Sequence, residues 1–363
     1  MPRREELRGE KRMSFMKKSK PVTFDDIAKY THFSKTTISR YFNNPESLTP
    51  QNQKIIAEAL KKLDYRANKV ARILANGKTE FIGILMPDLY HHFFSRILNE
   101  ILGTYEEFGY KFLVFVGNSK EEVERRYIQE LLAYRIEGLL VLSHTIPSES
   151  LAQLQVPVVT IEREDAQVCS VNTDNYLGGQ QAAALLADCQ CDVLIHVNSP
   201  SDPSIPAYGR IRGFEEYCQS HGLPHEVIIR QLDSSQHCDQ QLLREVIDYL
   251  DTAYQGRKKG VFMANDTLAN TFLNLLFRKH GCFPADYQLV GFDNSLTSSE
   301  SVLPISTIGQ QVDQIAAAAI TLLQQQMQES KKKKGATQGP IHQIIPPVPL
   351  ERQTTCRPEP KKG

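Results

Sequence analysis

Apolar positions follow two rhythms along this chain. From Val22 to about Tyr65 they return every three or four residues, as one face of a helix requires. "TFDDIAKY" opens on Thr23 with Asp26 three residues on, a capping-box spacing, and Ile27 and Ala28 begin an apolar face. After a break at "THF", Ser34 caps a second segment with Ile38, Tyr41 and Phe42 on one side. Thr49 and Pro50 open a third, "LTPQNQKIIAEALKKLDY", whose Ile55, Ile56, Ala59, Leu60 and Leu63 form a stripe predicted to be buried. Three short helices with a tight break between the first two predict a helix-turn-helix.

Beyond residue 80 the rhythm changes to short continuous apolar runs separated by helical lengths: "FIGILMPD", "KFLVFVGN", "GLLVLSHT", "VPVVTIER", "DVLIHVNS", "GVFMANDT" and "YQLVGFDN". Such runs are buried parallel strands, and their alternation with helices predicts an open α/β architecture long enough for two sheets. Ligands in these folds sit at the carboxyl ends of strands. Asp88, Glu162, Arg163, Asn265, Asp266, Asp293 and Asn294 fall there, a set of acceptors, amides and one guanidinium suited to a polyhydroxylated ligand.

Charge separates the two regions. Of 42 Lys+Arg and 42 Asp+Glu, residues 1–80 hold 18 and 9, a net of +9, so the remainder holds 24 and 33, a net of −9. A basic small module beside an acidic large one predicts that only the first meets a polyanion. The second helix of that module carries short polar groups at its start. In a helix-turn-helix those residues enter the major groove. Ser34, Thr36, Thr37 and Ser39 suit phosphates or base edges, and Lys35 and Arg40 suit guanine. Residues 1–20 read as a disordered basic lead. The seven Cys show no disulfide spacing, and in a chain of 363 residues they are expected to be free thiols. No run approaches the ~18 apolar residues of a membrane span. With no secretory signal either, the expected location is the cytoplasm and no membrane partner is expected. "ANKVARILANGKTEF" presents Val70, Ile73 and Leu74 on one face and Asn68, Lys69 and Arg72 on another. It reads as a hinge at 67–80 that orders on DNA, with Leu74 as an apolar wedge for the minor groove.

The segment from Lys20 through "FIGIL" resembles the head and hinge of the lactose-repressor (LacI) family of bacterial regulators. The likeness is dense and ungapped. It implies that Lys35 and Thr36 read bases, that Thr23, Ser34, Thr37, Ser39, Arg40 and Asn43 contact DNA, and that Asn68, Lys69, Ala71, Leu74 and Ala75 line the minor groove. His32 stands where the family has Gly in the turn, a residue that tolerates positive φ. "HHFF", "IERED", "YGRIRGF", "MANDTLA", "LVGFDNS" and "ISTIGQ" match the family's periplasmic-sugar-binding type of core in order. By that match Asp88, Phe93, Arg163, Asp174, Arg210, Asn265, Asp293 and Gln310 line an effector cleft. Glu162 and Asn294 replace the family's usual Asp.

The resemblance implies a head at 21–66, a hinge at 67–80 and a core at 81–358, with a first lobe of 81–173 and 312–339 and a second of 174–311 and 340–358. The function expected is a transcriptional regulator, a homodimer on a pseudo-palindromic double-stranded DNA operator, repressing carbohydrate genes under a sugar or sugar-phosphate effector. The alternatives are an activator, or a regulator dependent on a corepressor or a partner protein. No cofactor, no metal and no catalytic residue is expected, since GxSxG, HExxH and phosphate-loop patterns are missing. A sugar-binding transport component would lack the helix-turn-helix. A carbohydrate enzyme would need a convergent acid/base pair.

Overall fold

The structure is a computed structural model. It describes residues 22–65, 79–163, 166–200, 205–232, 236–331 and 339–356. The chain divides into two units, 1–78 and 79–363.

In the first unit the helices are α1 (Phe24–Thr31), α2 (Lys35–Asn43) and α3 (Pro50–Lys62). The Thr23 N–H donates to the Asp26 carboxylate at 2.8 Å, closing the predicted cap. α1 ends at His32, whose φ of 60° lies in the left-handed region, so the turn forms without Gly. Ser34 Oγ accepts the Thr37 N–H at 3.1 Å, and Thr49 Oγ1 accepts that of Asn52 at 3.3 Å. Ile27, Ile38 and Ile56 make the core, one from each helix, enclosed by Phe24, Phe42 and Tyr65. The stripe on α3 is narrower than its periodicity predicts: Ile55 is 40% exposed, because three short helices enclose only one residue-width of each.

The described residues of the second unit hold twelve strands. They are β1 (Phe81–Met86), β2 (Lys111–Val116), β3 (Gly138–Val141), β4 (Val158–Ile161), β5 (Cys169–Thr173), β6 (Val193–Asn198), β7 (His225–Ile229), β8 (Lys259–Met263), β9 (Tyr287–Phe292), β10 (Ser306–Gly309), β11 (His342–Ile345) and β12 (Val348–Leu350). They form two six-stranded sheets, ordered β11-β5-β4-β3-β1-β2 and β12-β10-β9-β8-β6-β7. Every pair is parallel except β10 with β12. The longer helices are α4 (His92–Gly103), α5 (Glu121–Ala133), α6 (Asn175–Asp188), α7 (Tyr208–Ser220), α8 (Gln236–Ala253), α9 (Asp266–His280) and α10 (Val312–Lys331). α10 lays Val312, Ile315, Ala316, Ala319 and Leu323 against the first sheet, in one core with Ile84, Leu140 and Val159.

One lobe boundary differs from the sequence reading. Residues 340–358 are not all in the second lobe, because β11 pairs with β5 of the first sheet. The edge of β5 offers a row of N–H and C=O groups that needs a partner, and the Asp174 N–H still donates to Ile345 O at 2.9 Å. Pro346 and Pro347 follow. Having no N–H they cannot extend the ladder, and β12 joins the second sheet instead. The chain thus passes between the sheets at 173–174, 309–312 and 345–348.

Two glycines bring α6 and α7 into backbone contact. A Cβ on Gly179 would stand 2.2 Å from Arg210 O, and one on Gly213 would stand 2.0 Å from Tyr176 O. Only Gly permits this approach, and it seats Arg210 beside the start of α6.

Candidate functional site

In the head, α2 exposes Ser34, Lys35, Thr36, Arg40 and Asn43, with Thr37 and Ser39 half-buried behind them and Thr23 exposed at the start of α1. Asn43 Nδ2 donates to Ser39 Oγ at 3.2 Å, and Lys35 Nζ lies 2.6 Å from Asp25 Oδ1. Thr36 and Arg40 make no side-chain bond among the described residues. Asn68, Lys69, Ala71, Leu74 and Ala75 lie outside the described residues.

In the core, the strand ends of both sheets converge on one network. Glu162 follows β4 with a φ of 52°. Its carboxylate accepts the Thr173 N–H at 2.5 Å and Asn175 Nδ2 at 3.0 Å. Asn175 Oδ1 in turn accepts Arg210 Nε at 2.8 Å. Arg210 is buried. Its Nη1 donates to Ala264 O at 2.7 Å, and its guanidinium carbon lies 3.6 Å from the centre of the Phe292 ring. Nη2 is left without a protein acceptor among the described residues. On the other side, the Thr173 hydroxyl donates to Gln310 Oε1 at 2.5 Å, and Gln310 Nε2 donates to Asp293 Oδ1 at 2.6 Å. The second Asp293 oxygen accepts nothing among the described residues. One donor and one acceptor therefore remain open at the floor.

Electrostatics match this burial. Desolvation pulls the Arg210 pKa below its ordinary value, against the opposing pull of Asp293, Glu162 and Asp266. Burial pushes the Asp293 carboxyl up to about 7 although Arg210 lowers it. Asp266, fully buried, is raised by burial too. Its oxygens accept the Thr307 hydroxyl and the Ser295 N–H, both at 2.7 Å.

The other expected cleft residues divide in two. Asp88, Asp174 and Asn265 sit at strand ends and accept local backbone N–H groups, Asp174 and Asn265 as helix caps. Asp88 accepts the N–H groups of Tyr90 and His91 at 2.9 and 3.0 Å, Asp174 that of Leu177 at 2.9 Å, and Asn265 that of Leu268 at 2.9 Å. Asn265 also lines a cavity of about 140 Å³ together with Tyr90, His91, Gln240, Thr267 and Thr271, drawn from both lobes. Phe93 and Arg163 are not brought to this floor. Phe93 packs into the first lobe's core, because α4 turns its Phe93–Ile97–Ile101 face inward. Arg163 is buried and donates to Ser143 O at 3.0 Å, to Ile146 O and to Ser148 Oγ, so it clamps the loop after β3.

Asn294, with a φ of 56°, is held by its own protein. Its Oδ1 accepts Arg352 Nη2 at 2.6 Å, and its carbonyl accepts Arg96 Nη1 at 2.7 Å across the lobes. Sequence reading missed Arg96, Thr173, Asn175 and Thr307. Their polar groups sit within helices or strands, and no local pattern marks them. Asp266 was visible only as a strand-end acid.

Known proteins resemble the chain over nearly its whole length. Residues 23–68 match the family of bacterial regulatory proteins of the lacI type. Residues 79–249 match the periplasmic binding proteins and sugar binding domain of the LacI family, and 178–355 match a periplasmic binding protein-like domain. The ribose operon repressor of Halalkalibacterium halodurans is 25% identical over 82% of this chain and 88% of its own length. Catabolite control protein A of Streptococcus mutans is 27% identical over 82% and 89%. The lac repressor dimer, solved bound to operator and the anti-inducer ONPF, shares the fold with a TM-score of 0.79 at 22% identity, over 93% of this chain and 99% of that one. A lacI-type head joined to that family's two-lobed sugar-binding-type core makes this chain a member of the LacI family of bacterial regulatory proteins.

Proposed function

We propose that the protein is a cytoplasmic repressor of carbohydrate-utilisation genes. It binds a pseudo-palindromic operator as a homodimer, and a small sugar-like effector held between its lobes switches its DNA affinity. The observation that carries this reading is the floor network, which ties strand ends of both sheets together through Glu162–Asn175–Arg210 and Thr173–Gln310–Asp293 while leaving Arg210 Nη2 and one Asp293 oxygen open. A hydroxyl can accept from the first and donate to the second. A ligand there changes how the lobes are joined, and it shifts the DNA equilibrium to the extent that it binds the two states unequally. Arg163 serves its own loop, and Arg210 is balanced by nearby acids. That charge balance favours a neutral sugar over a sugar phosphate. Asp88, Asp174 and Asn265 shape the rim, and the exposed row Ser34–Asn43 meets the major groove.

The hinge assigned by resemblance completes this reading, with Leu74 as the wedge. Leu74→Ala is expected to weaken operator binding and reduce DNA bending in an electrophoretic phasing assay while leaving effector binding unchanged. Undiminished operator affinity would remove the wedge from the account.

The effector is tested by thermal unfolding of the full-length protein against neutral sugars and sugar phosphates. A ligand at a hundredfold excess over its Kd stabilises by about 2.7 kcal/mol. A dose-dependent rise with a neutral sugar supports the reading. A rise confined to phosphorylated sugars contradicts the charge argument.

A further inference from the structure

We propose that Asp25 is a specificity-determining residue of the head, acting as a positioning group for Lys35. The proposal rests on the reading of α2 as the helix that enters the groove. Lys35 is the first residue of α2 and Asp25 lies in the first turn of α1, and their side chains meet at 2.6 Å while remaining 65% and 53% exposed.

The two acids of α1 divide their work. Asp26 closes the helix cap on Thr23. Asp25 takes no part in that cap and reaches across the turn to the neighbouring helix. An ion pair this exposed adds little to folding stability, and the benefit of an acid in the first turn of α1 does not depend on a lysine beside it. On a surface that approaches phosphates, a carboxylate also works against affinity. A residue that weakens general attraction at the reading end of a recognition helix is a device of selectivity.

The chemistry of lysine supplies the mechanism. A free ammonium is a point charge on a flexible stem with three donors, and any phosphate or base acceptor satisfies it. Held by Asp25, Lys35 keeps one donor on the carboxylate, and its stem is confined above the start of α2. Two donors remain. In the major groove guanine offers two adjacent acceptors, N7 and O6. Adenine and thymine offer one acceptor each, and cytosine offers a donor. The tether therefore turns a general cation into a reader of guanine. Without it, Lys35 relaxes toward phosphates and the base preference falls.

The test is selection from a random double-stranded oligonucleotide library with the full-length protein, its Asp25→Asn variant and its Lys35→Gln variant. Binding of each to a non-specific duplex at one salt concentration accompanies it. Wild type is expected to enrich guanine at one position in each half-site. Asp25→Asn, nearly isosteric and at an exposed site, is expected to lose that preference by about tenfold. The other positions should hold, and non-specific affinity should rise because a negative charge is gone. Lys35→Gln is expected to lose preference at the same position. An Asp25→Asn selection identical to wild type overturns the proposal, and so does a uniform weakening at every position, which is the signature of a structural role. If wild type enriches no sequence, the DNA-reading assignment of the head falls and the proposal with it.

Discussion

Thr173 and Gln310 meet at 2.5 Å, and their bond joins the last residue of β5 in one sheet to the residue that follows β10 in the other. The same Gln310 side chain donates to Asp293 at 2.6 Å. One amide thus holds the first lobe by its oxygen and the floor of the second by its nitrogen. Gln310→Glu removes the donor and sets a carboxylate beside Asp293. It is expected to destabilise the core by about 1–3 kcal/mol and to weaken effector binding. Thr173→Val, which removes the bond without adding charge, is expected to cost about 1 kcal/mol. Urea denaturation of the three proteins checks the order; equal stabilities would show that the bridge carries no load.

Arg210 combines a stacked guanidinium with bonds to Asn175 and Ala264. Lysine supplies the charge but not the planar fork. Arg210→Lys is expected to lower effector affinity by at least about tenfold, the equivalent of one buried bond. Operator binding in the absence of effector should remain. Calorimetry of the effector and a gel-shift titration of the operator separate the two, and unchanged effector affinity would remove Arg210 from the site.

Asp293 gives the core a pH dependence of definite sign. Burial raises its carboxyl from 3.8 to about 7, the Arg210 charge opposing the rise. Between those values the folded protein holds the proton and the unfolded chain has released it. The contribution favours folding at the acid end of the window and is lost as pH rises through it. Asp293→Asn does not titrate and still offers Gln310 an acceptor. Its stability relative to wild type is therefore expected to improve on going from about pH 5 to about pH 8. A difference that stays constant across the window would contradict the assignment.

Gly213 tests the seating of Arg210. A Cβ there would lie 2.0 Å from Tyr176 O, a backbone atom that moves only if α6 and α7 part. Gly213→Ala is expected to destabilise by about 1–3 kcal/mol or more and to weaken effector binding by displacing Arg210. Gly103→Ala, at the end of α4 where nothing lies within 4 Å, is the control and is expected to be neutral or slightly stabilising. Melting temperatures of both variants decide it.

The seven apolar runs visible in the sequence are β1, β2, β3, β4, β6, β8 and β9, all the inner strands but β5 and β10, together with the edge strand β2. Their burial demands continuous apolar stretches, so they stand out. β5 was hidden although it is buried throughout, because "CSVNT" carries three polar residues that bond within the fold. β11 and β12 are short, partly exposed and separated by two prolines, and only pairing across the sheets defines them. The helix-turn-helix was legible because caps at Thr23, Ser34 and Thr49 are local signals. Among the residues assigned to the cleft by resemblance, Arg210, Asp293 and Gln310 lie in one network. Phe93 and Arg163 turn inward, since the side of a strand end or helix that faces a ligand depends on backbone direction, which no short motif records. The Lys35–Asp25 pair, ten residues apart across a turn, is likewise a product of helix geometry.

The central claim is that a ligand between the lobes controls affinity for DNA at the head. Fluorescence anisotropy of a duplex selected by the full-length protein, titrated with and without the sugar that stabilises it, tests this directly. The account predicts specific binding in the nanomolar range that falls steeply with salt and shifts by about tenfold or more when the sugar is added. Specific binding unaltered by a sugar that demonstrably raises the melting temperature would contradict it, because the cleft and the head would then be uncoupled.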